Sequence, residues 1–284
     1  MKPMLKYRGG KQREIPELLK FVPSNYGRYV EPFFGGGALY FHLEPKQAVL
    51  NDLNAGLMNF YRGIRDDFEI VQGELLEMEH RYESNRKAYE ALKELHPDDI
   101  VPDANEADYY LIRDMFNGKT ETRYSWASLY YYINKTAYSG MIRYNKSGQY
   151  NVPYGRYKHL NVSCVTEEHS QLLKSADLCN GDFEDIFSMC REDDFVFLDP
   201  PYDCVFSDYG NPELIDGFSP SDHKRLASAF FDLPCKSLLV IGETDLTLEL
   251  YRGHIVHEYG KTYSVNIRNR FKASSKHILV TNGR

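Results

Sequence analysis

Asp199-Pro200-Pro201-Tyr202, at the end of the apolar run Phe195-Val196-Phe197-Leu198, places a carboxylate, two prolines and an aromatic face within four residues. Each proline fixes φ near about −65° and lacks an N–H, which leaves carbonyl acceptors with no local donor. A rigid acceptor pair beside a flat ring suits a planar, amino-substituted substrate. The same four residues also read as a strand followed by a Pro-Pro turn with a surface tyrosine, so the neighbouring motifs must decide. The run before them is short, β-branched and aromatic, and it reads as a buried strand that stops at Asp199. In open α/β sheets, ligands collect beyond the carboxyl ends of the strands.

Three further clusters carry chemistry. Glu31-Pro32-Phe33-Phe34-Gly35-Gly36-Gly37-Ala38 follows a strand-like run and opens into Leu39-Tyr40-Phe41. Glycines at a strand-to-helix turn permit positive φ and let a ligand approach the backbone. No Lys-Ser/Thr follows, so this is not a phosphate-cradling loop, and the full dinucleotide fingerprint is also missing. Asp52, in Asn51-Asp52-Leu53-Asn54, ends a second strand where a carboxylate can accept both hydroxyls of a ribose. The third cluster is Asn180-Gly181-Asp182-Phe183. Asp182 there can accept from a purine amino group while Phe183 offers its backbone N–H, or Asp182 can serve simply as a helix N-cap. A ligand with an adenosine-like sugar and no phosphate cradle fits S-adenosyl-L-methionine better than a nicotinamide or flavin dinucleotide.

The elements that must position these groups are strands separated by helix-length gaps: 29–33, 48–50, 176–178, 194–198, 237–241 and 277–281. Such alternation predicts an α/β fold with a mostly parallel sheet. Between about 56 and 135 the period changes to helical, with Leu57, Phe60, Tyr61 and Ile64, then Leu75, Met78 and Tyr82, then Tyr109, Ile112, Met115 and Phe116. The segment 96–103, with two prolines and an acidic cluster, reads as a loop within this helical insert. Asn145-Lys146-Ser147-Gly148 is a turn signal between alternating flanks and predicts a hairpin over 140–157.

The chain has 284 residues and a net charge of −7, which alone argues weakly against a nucleic-acid partner. The distribution argues the other way. Residues 66–108 hold 14 Asp/Glu and 4 Lys/Arg, whereas 117–160 hold 7 Lys/Arg and 1 Asp/Glu. A basic, tyrosine-rich stretch beside an acidic one fits a footprint for phosphate, although a solvated charged face gives similar counts. The five cysteines are widely spaced with no Cys-x-x-Cys pair, which disfavours a disulfide framework and a structural zinc site; no metal is expected. No apolar stretch reaches membrane-spanning length and no signal segment is evident, so a cytoplasmic protein without a membrane partner is expected.

The ordered set Tyr7-x-Gly9-Gly10-Lys11, Glu31-Pro32-Phe33-x-Gly-Gly-Gly, Asn51-Asp52, a helical insert ending in Gly140-Met141-Ile142-Arg143-Tyr144-Asn145, Gly181-Asp182-Phe183 and Asp199-Pro200-Pro201-Tyr202 resembles the Dam-type DNA adenine-N6 methyltransferases in their alpha motif order. The resemblance covers essentially the whole chain. It implies a Rossmann-like class I methyltransferase sheet with an inserted helical and hairpin DNA-recognition domain. The catalytic domain would then comprise 1–55 and 160–284, and the recognition domain 56–159. It further implies Asp199, Pro200, Pro201 and Tyr202 as catalytic, and Tyr7, Lys11, Phe33, Gly35, Gly37, Asp52, Asp182, Phe183 and Asp199 as cofactor-binding. The cofactor would be S-adenosyl-L-methionine, and the substrate an adenine flipped out of double-stranded DNA onto Tyr202, with Phe206 and Tyr209 as further aromatic candidates.

A two-stranded ribbon fits the major groove, where Arg143 can pair with guanine and Met141 or Pro153 can contact a thymine methyl. By the same resemblance, Lys6, Arg143, Pro153 and Tyr157 match residues that contact GATC, so GATC or a GAT-containing site is expected. Ser139 stands where several family members carry Asn. A monomer is expected, with a cognate restriction endonuclease as a possible partner. Related tetrads also serve RNA and protein-glutamine methyltransferases, and a non-catalytic DNA-binding module would need a broken cofactor site.

Overall fold

Strand residues alternate strictly between two cores. Tyr29, Leu50, Phe195, Phe197, Leu238, Val240 and Leu279 enter one cluster, while Val30, Val49, Val196, Leu198, Leu239, Ile241, Ile278 and Val280 enter the other. This period of two places an aromatic-rich face and an aliphatic face on opposite sides of one sheet, both covered by helices. The computed structural model describes residues 1–145, 147–202, 218–261 and 275–284; Lys146, Cys204, Phe206 and Tyr209 lie outside the described residues.

In chain order the elements are α1 (Ile15–Leu18), β1 (Tyr29–Glu31), α2 (Ala38–Leu43), β2 (Ala48–Asn51), α3 (Ala55–Asp66), α4 (Phe68–Leu95), α5 (Ala104–Phe116), α6 (Trp126–Thr136), a short 3₁₀ turn (Tyr138–Gly140), α7 (Glu167–Lys174), β3 (Ala176–Cys179), α8 (Phe183–Phe187), β4 (Phe195–Leu198), α9 (Pro220–Asp232), β5 (Lys236–Gly242), α10 (Asp245–Leu250), β6 (Ile255–Lys261) and β7 (Ser275–Thr281). The sheet order is β3-β2-β1-β4-β5-β7-β6. β1 to β5 run parallel, and β7 is antiparallel to both β5 and β6. The order reverses between β1 and β4, so a crevice forms beyond their carboxyl ends. Glu31 and Asp199 end or follow those two strands.

The first strand is shorter than expected, ending at Glu31, because Pro32 has no N–H for the ladder. β6 gave no sequence signal strong enough to be anticipated, and β7 breaks the parallel pattern. The helical segment agrees more closely. α3 buries Leu57, Met58, Phe60, Tyr61 and Ile64, and Asn54 caps it by accepting from the Leu57 N–H. The 28-residue α4 buries only Val71, Leu75, Met78 and Tyr82, a single stripe, which leaves most of its acidic side chains in water. The loop 96–103 lies between α4 and α5, as its prolines imply. α6 is the helix at the centre of this layer, burying nine of its eleven residues.

The hairpin expected over 140–157 is not a regular two-stranded ribbon. It is reduced to isolated antiparallel bridges, Tyr144 with Tyr150 and Ala137 with Tyr154. The 3₁₀ turn Tyr138–Gly140, with Ser139 at φ +56°, interrupts the first arm between these two bridges, while Asn117, just after α5, accepts from the N–H and donates to the carbonyl that Tyr150 turns away from the opposite arm. The turn itself forms where expected, with the Asn145 side chain accepting from the Ser147 and Gln149 N–H groups and Gly148 at φ +72°.

One buried amide joins the three strand ends that surround the crevice. Asn51 Nδ2 donates to the Pro32 carbonyl after β1 at 3.0 Å and to the Gly181 carbonyl after β3 at 2.9 Å. Replacing it with leucine leaves both carbonyls without that donor. Asn51→Leu is expected to lower unfolding free energy by about 2–4 kcal/mol in urea denaturation; an unchanged midpoint would show that these loops do not depend on the amide.

Candidate active site

The crevice between the β1 and β4 ends opens into a cavity of about 1120 Å³, counting the solvent at its mouth. Every residue expected at the cofactor or catalytic site lines it: Tyr7, Lys11, Phe33, Gly35, Gly37, Asp52, Asp182, Phe183 and the tetrad Asp199 to Tyr202. The turn after β1 comes close to the N-terminal segment. A Cβ on Gly35 would lie 2.7 Å from the Tyr7 ring and one on Gly36 2.8 Å from Tyr7 Cβ, so side chains at both positions would push Tyr7 away. Gly35 and Gly37 have φ of +48° and +62°, and Gly37 starts α2 in this left-handed conformation. The Tyr61 hydroxyl holds the Gly35 carbonyl at 2.9 Å.

Asp52 is oriented by its own backbone neighbourhood. One oxygen accepts from the Gly35 N–H and the other from the Asn54 N–H, each at 2.9 Å. Asn180 donates to the Asp52 and Leu53 carbonyls from the β3 side. A carboxylate has about four acceptor positions and can serve several donors at once.

At the other end of the cavity, Phe33, Phe183 and Phe218 form an aromatic recess with centroid separations of 5.5, 6.1 and 6.4 Å. Asp182 lies beside it. The sequence left two readings of this residue, purine acceptor or N-cap, and the cap is present: Oδ1 accepts from the Glu184 N–H at 3.0 Å. Both its oxygens also accept from Arg225 at 2.9 Å, and the guanidinium lies 4.4 Å from the Phe183 centroid. Burial pushes the Asp182 carboxyl up, but Arg225 and the Glu184 N–H outweigh it and hold the group below its ordinary value. Sequence reasoning missed Phe218 and Arg225. The only signal nearby is the capping pattern Ser219-Pro220-Ser221-Asp222 that starts α9, and it does not distinguish Arg225 from any other helical arginine.

Around the tetrad, charge is balanced by a buried lysine. Lys11, 3% exposed, places Nζ 2.6 and 2.7 Å from the two Asp199 oxygens and 2.9 Å from the Gly9 carbonyl. Its ammonium is also 5.0 Å from the Tyr202 centroid. Lys11 thus lines the cavity while its charge is committed to Asp199. Glu31, also in the cavity wall, is fully buried. Burial drives its carboxyl well above the ordinary range, against the 2.8 Å hydrogen bond from the Tyr29 hydroxyl, and Asp199 and Asp52 push it further, which favours the neutral acid.

Residues expected to face DNA form a second group one residue away. The Lys6 backbone exchanges two 2.8 Å hydrogen bonds with the Asn134 amide of α6, and its ammonium stands 3.5 Å above the Tyr157 ring. Burial, then Lys135, lowers the Lys6 pKa to about 8. Gly140 abuts Lys6, since a Cβ there would lie 2.9 Å from its side chain. Ser139 is exposed with φ +56°, Pro153 is exposed and accepts from the Tyr138 N–H, and Met141 is half-buried. Arg143 is exposed further out along the loop, its Nε donating to Asn151 at 3.1 Å. Lys6, Ser139, Pro153 and Tyr157 are therefore drawn to one area around the 3₁₀ turn, with Arg143 on the arm beyond it.

The parallel sheet with its single antiparallel insertion, the ribose-type carboxylate after β2 and the tetrad after β4 define a class I methyltransferase. The family model described as D12 class N6 adenine-specific DNA methyltransferase matches residues 7–265. The chain is 35% identical over 289 residues to the type II methyltransferase M.CviBI of Paramecium bursaria Chlorella virus NC1A, covering 99% of this chain and 100% of that protein. It is 30% identical over 296 residues to the type II methyltransferase M1.LlaDCHI of Lactococcus lactis subsp. cremoris, covering 99% and 95%. To the DNA adenine methylase of Serratia marcescens it is 27% identical over 294 residues, covering 95% of each. The chain belongs to the D12 class of N6 adenine-specific DNA methyltransferases.

The Arg225 pair carries a pH dependence. A carboxyl depressed in the folded state stabilises the fold fully above its unfolded pKa of about 4, and this contribution disappears as pH falls through the lower folded value. Arg225→Met is expected to remove it. The difference in urea midpoint between wild type and variant should be larger at pH 7 than at pH 3; equal differences at both would mean that the pair is energetically silent.

Proposed function

We propose that the enzyme transfers a methyl group from S-adenosyl-L-methionine to the N6 amino group of an adenine extruded from duplex DNA, within GATC or a GAT-containing site. The observation that carries this reading is that Asp199, Pro200 and Tyr202 share one cavity with Asp52, the glycine turn and an aromatic recess. Asp52 has acceptor capacity for ribose hydroxyls, and Phe33, Phe183 and Phe218 suit a purine beside Asp182. The glycine turn with Tyr7 lets a ligand meet backbone directly. When bound, S-adenosylmethionine supplies an already activated sulfonium methyl.

The protein's own residues handle the amino nitrogen, whose lone pair is delocalised into the adenine ring. The Asp199 carboxylate and the Pro200 carbonyl accept the amino hydrogens, favouring a pyramidal nitrogen and accommodating the charge that develops on it. A carboxylate can accept from several donors at once, so pairing with Lys11 is compatible with this role. Extruding the base costs a few kcal/mol, offset in part by stacking on Tyr202. In this reading residues 1–55 and 160–284 form the catalytic domain and 56–159 the recognition domain. Lys6, Ser139, Met141, Arg143, Pro153 and Tyr157 face the site in DNA. On the same reading the enzyme acts as a monomer, and a cognate restriction endonuclease acting on the same site is its candidate partner.

Plasmid methylated in vitro should resist an endonuclease that is blocked by adenine methylation in GATC; complete cleavage, with methyl incorporated, would refute that site. Asp199→Ala should lower turnover by about 10²–10³-fold while leaving S-adenosylhomocysteine binding measurable by calorimetry. Near-normal turnover would refute its role. Arg143→Ala should relax one base position at a loss of about 1–3 kcal/mol, whereas Lys146→Ala should weaken binding to all sequences and reduce the salt slope by about one. Equal losses on cognate and random duplexes for both variants would refute base reading by this arm.

A further inference from the structure

Against Tyr202 lies a buried polar cluster that the reaction described above does not use. Glu14 Oε2 accepts from the Tyr259 hydroxyl at 2.6 Å and from His277 Nδ1 at 2.7 Å. With hydrogen on Nδ1 the ring donates to Glu14 and holds it beside β7. Glu14 is 6% exposed and His277 0%. Burying such groups is costly, and an aliphatic core would close the same strand pair at less expense.

The contacts of the cluster indicate what it contributes. The His277 ring stands edge-on to Tyr202, with centroids 5.0 Å apart at 88°, and Tyr259 packs on His277 at 5.6 Å and 74°. Beside the same tyrosine, a Cβ on Gly242 would lie 3.4 Å from Tyr202 Cδ2, so β5 approaches the ring closely. Glu14 also belongs to the turn that carries Lys11: its N–H donates to the Lys11 carbonyl at 2.8 Å. One carboxylate therefore ties β6 and β7 both to the ring of Tyr202 and to the lysine that holds Asp199.

We propose that Glu14, His277 and Tyr259 are positioning residues for methyl transfer, fixing the Tyr202 ring and the Lys11 turn so that the base platform and the Asp199 carboxylate keep one mutual geometry. This rests on the reading of Tyr202 as the platform for the extruded base. Their described contacts lie on the Tyr202 and Lys11 side of the cavity, away from the recess formed by Phe33, Phe183 and Phe218, so their loss acts more on the transfer step than on cofactor binding.

The test is the single-turnover rate of methyl transfer to a GATC duplex, measured beside S-adenosylhomocysteine affinity and melting temperature. His277→Leu, which removes both the ring edge and the donor, is expected to slow transfer by about 10–100-fold while changing cofactor affinity by less than about threefold, near the smallest change a titration resolves. Tyr259→Phe keeps the ring and deletes one hydroxyl; it should slow transfer in the same direction by less. Glu14→Gln, which keeps an acceptor, should retain more rate than Glu14→Leu. Wild-type rates in Tyr259→Phe and His277→Leu would overturn the proposal, as would rate, affinity and melting temperature falling in parallel. Should His277→Leu fail to fold, Tyr259→Phe and the two Glu14 variants decide it. Absence of any transfer to DNA by the unsubstituted protein would instead overturn the functional reading itself.

Discussion

Acidic side chains crowd one cavity, Glu31, Asp52, Asp182 and Asp199 among them, and the arrangement around it answers the need to hold them together. Like charges in a partly desolvated space repel, so each carboxyl must be neutralised, paired or hydrogen-bonded. The protein uses a different device for each. Glu31 is buried against Tyr29 as the favoured neutral acid, Asp52 is fixed by two backbone N–H groups, Asp182 is gripped by Arg225, and Asp199 is paired with buried Lys11.

These devices reach back into the fold. Asp199 and Glu31 are neighbours because β1 and β4 meet where the strand order reverses. Lys11 can reach Asp199 because the N-terminal segment crosses the cavity, with Tyr7 packed on the glycine turn and Glu14 fastened to β6 and β7. The adjacent residue, Lys6, is bound through its backbone to α6 and lies over Tyr157. Consecutive residues of one segment thus meet the cavity and the Tyr157 surface around the 3₁₀ turn, a direct mechanical link between the two.

Much of this was legible in the sequence, for identifiable reasons. Positions that need a special residue type announced themselves: glycines where a Cβ would collide, a carboxylate at each strand end, and prolines that terminate backbone pairing. The sheet was read through short apolar runs separated by helix-length gaps and the insert through helical spacing. What was not legible depends on contacts between distant segments. Arg225 is an ordinary helical arginine in the sequence until α9 brings it against Asp182 and Phe183, and His277 reads as the first residue of a strand until β7 brings it to Tyr202. The hairpin of 140–157 was overdrawn because alternation predicted a ladder, while the 3₁₀ turn Tyr138–Gly140 interrupts one arm.

The central claim is that this cavity delivers a methyl group to adenine N6 in duplex DNA. Tritium transfer from labelled S-adenosylmethionine to unmethylated duplex, followed by nucleoside analysis, tests it most directly. The account predicts label recovered as N6-methyldeoxyadenosine. Label recovered as methylcytosine, or transfer to RNA or protein in preference to DNA, would contradict it.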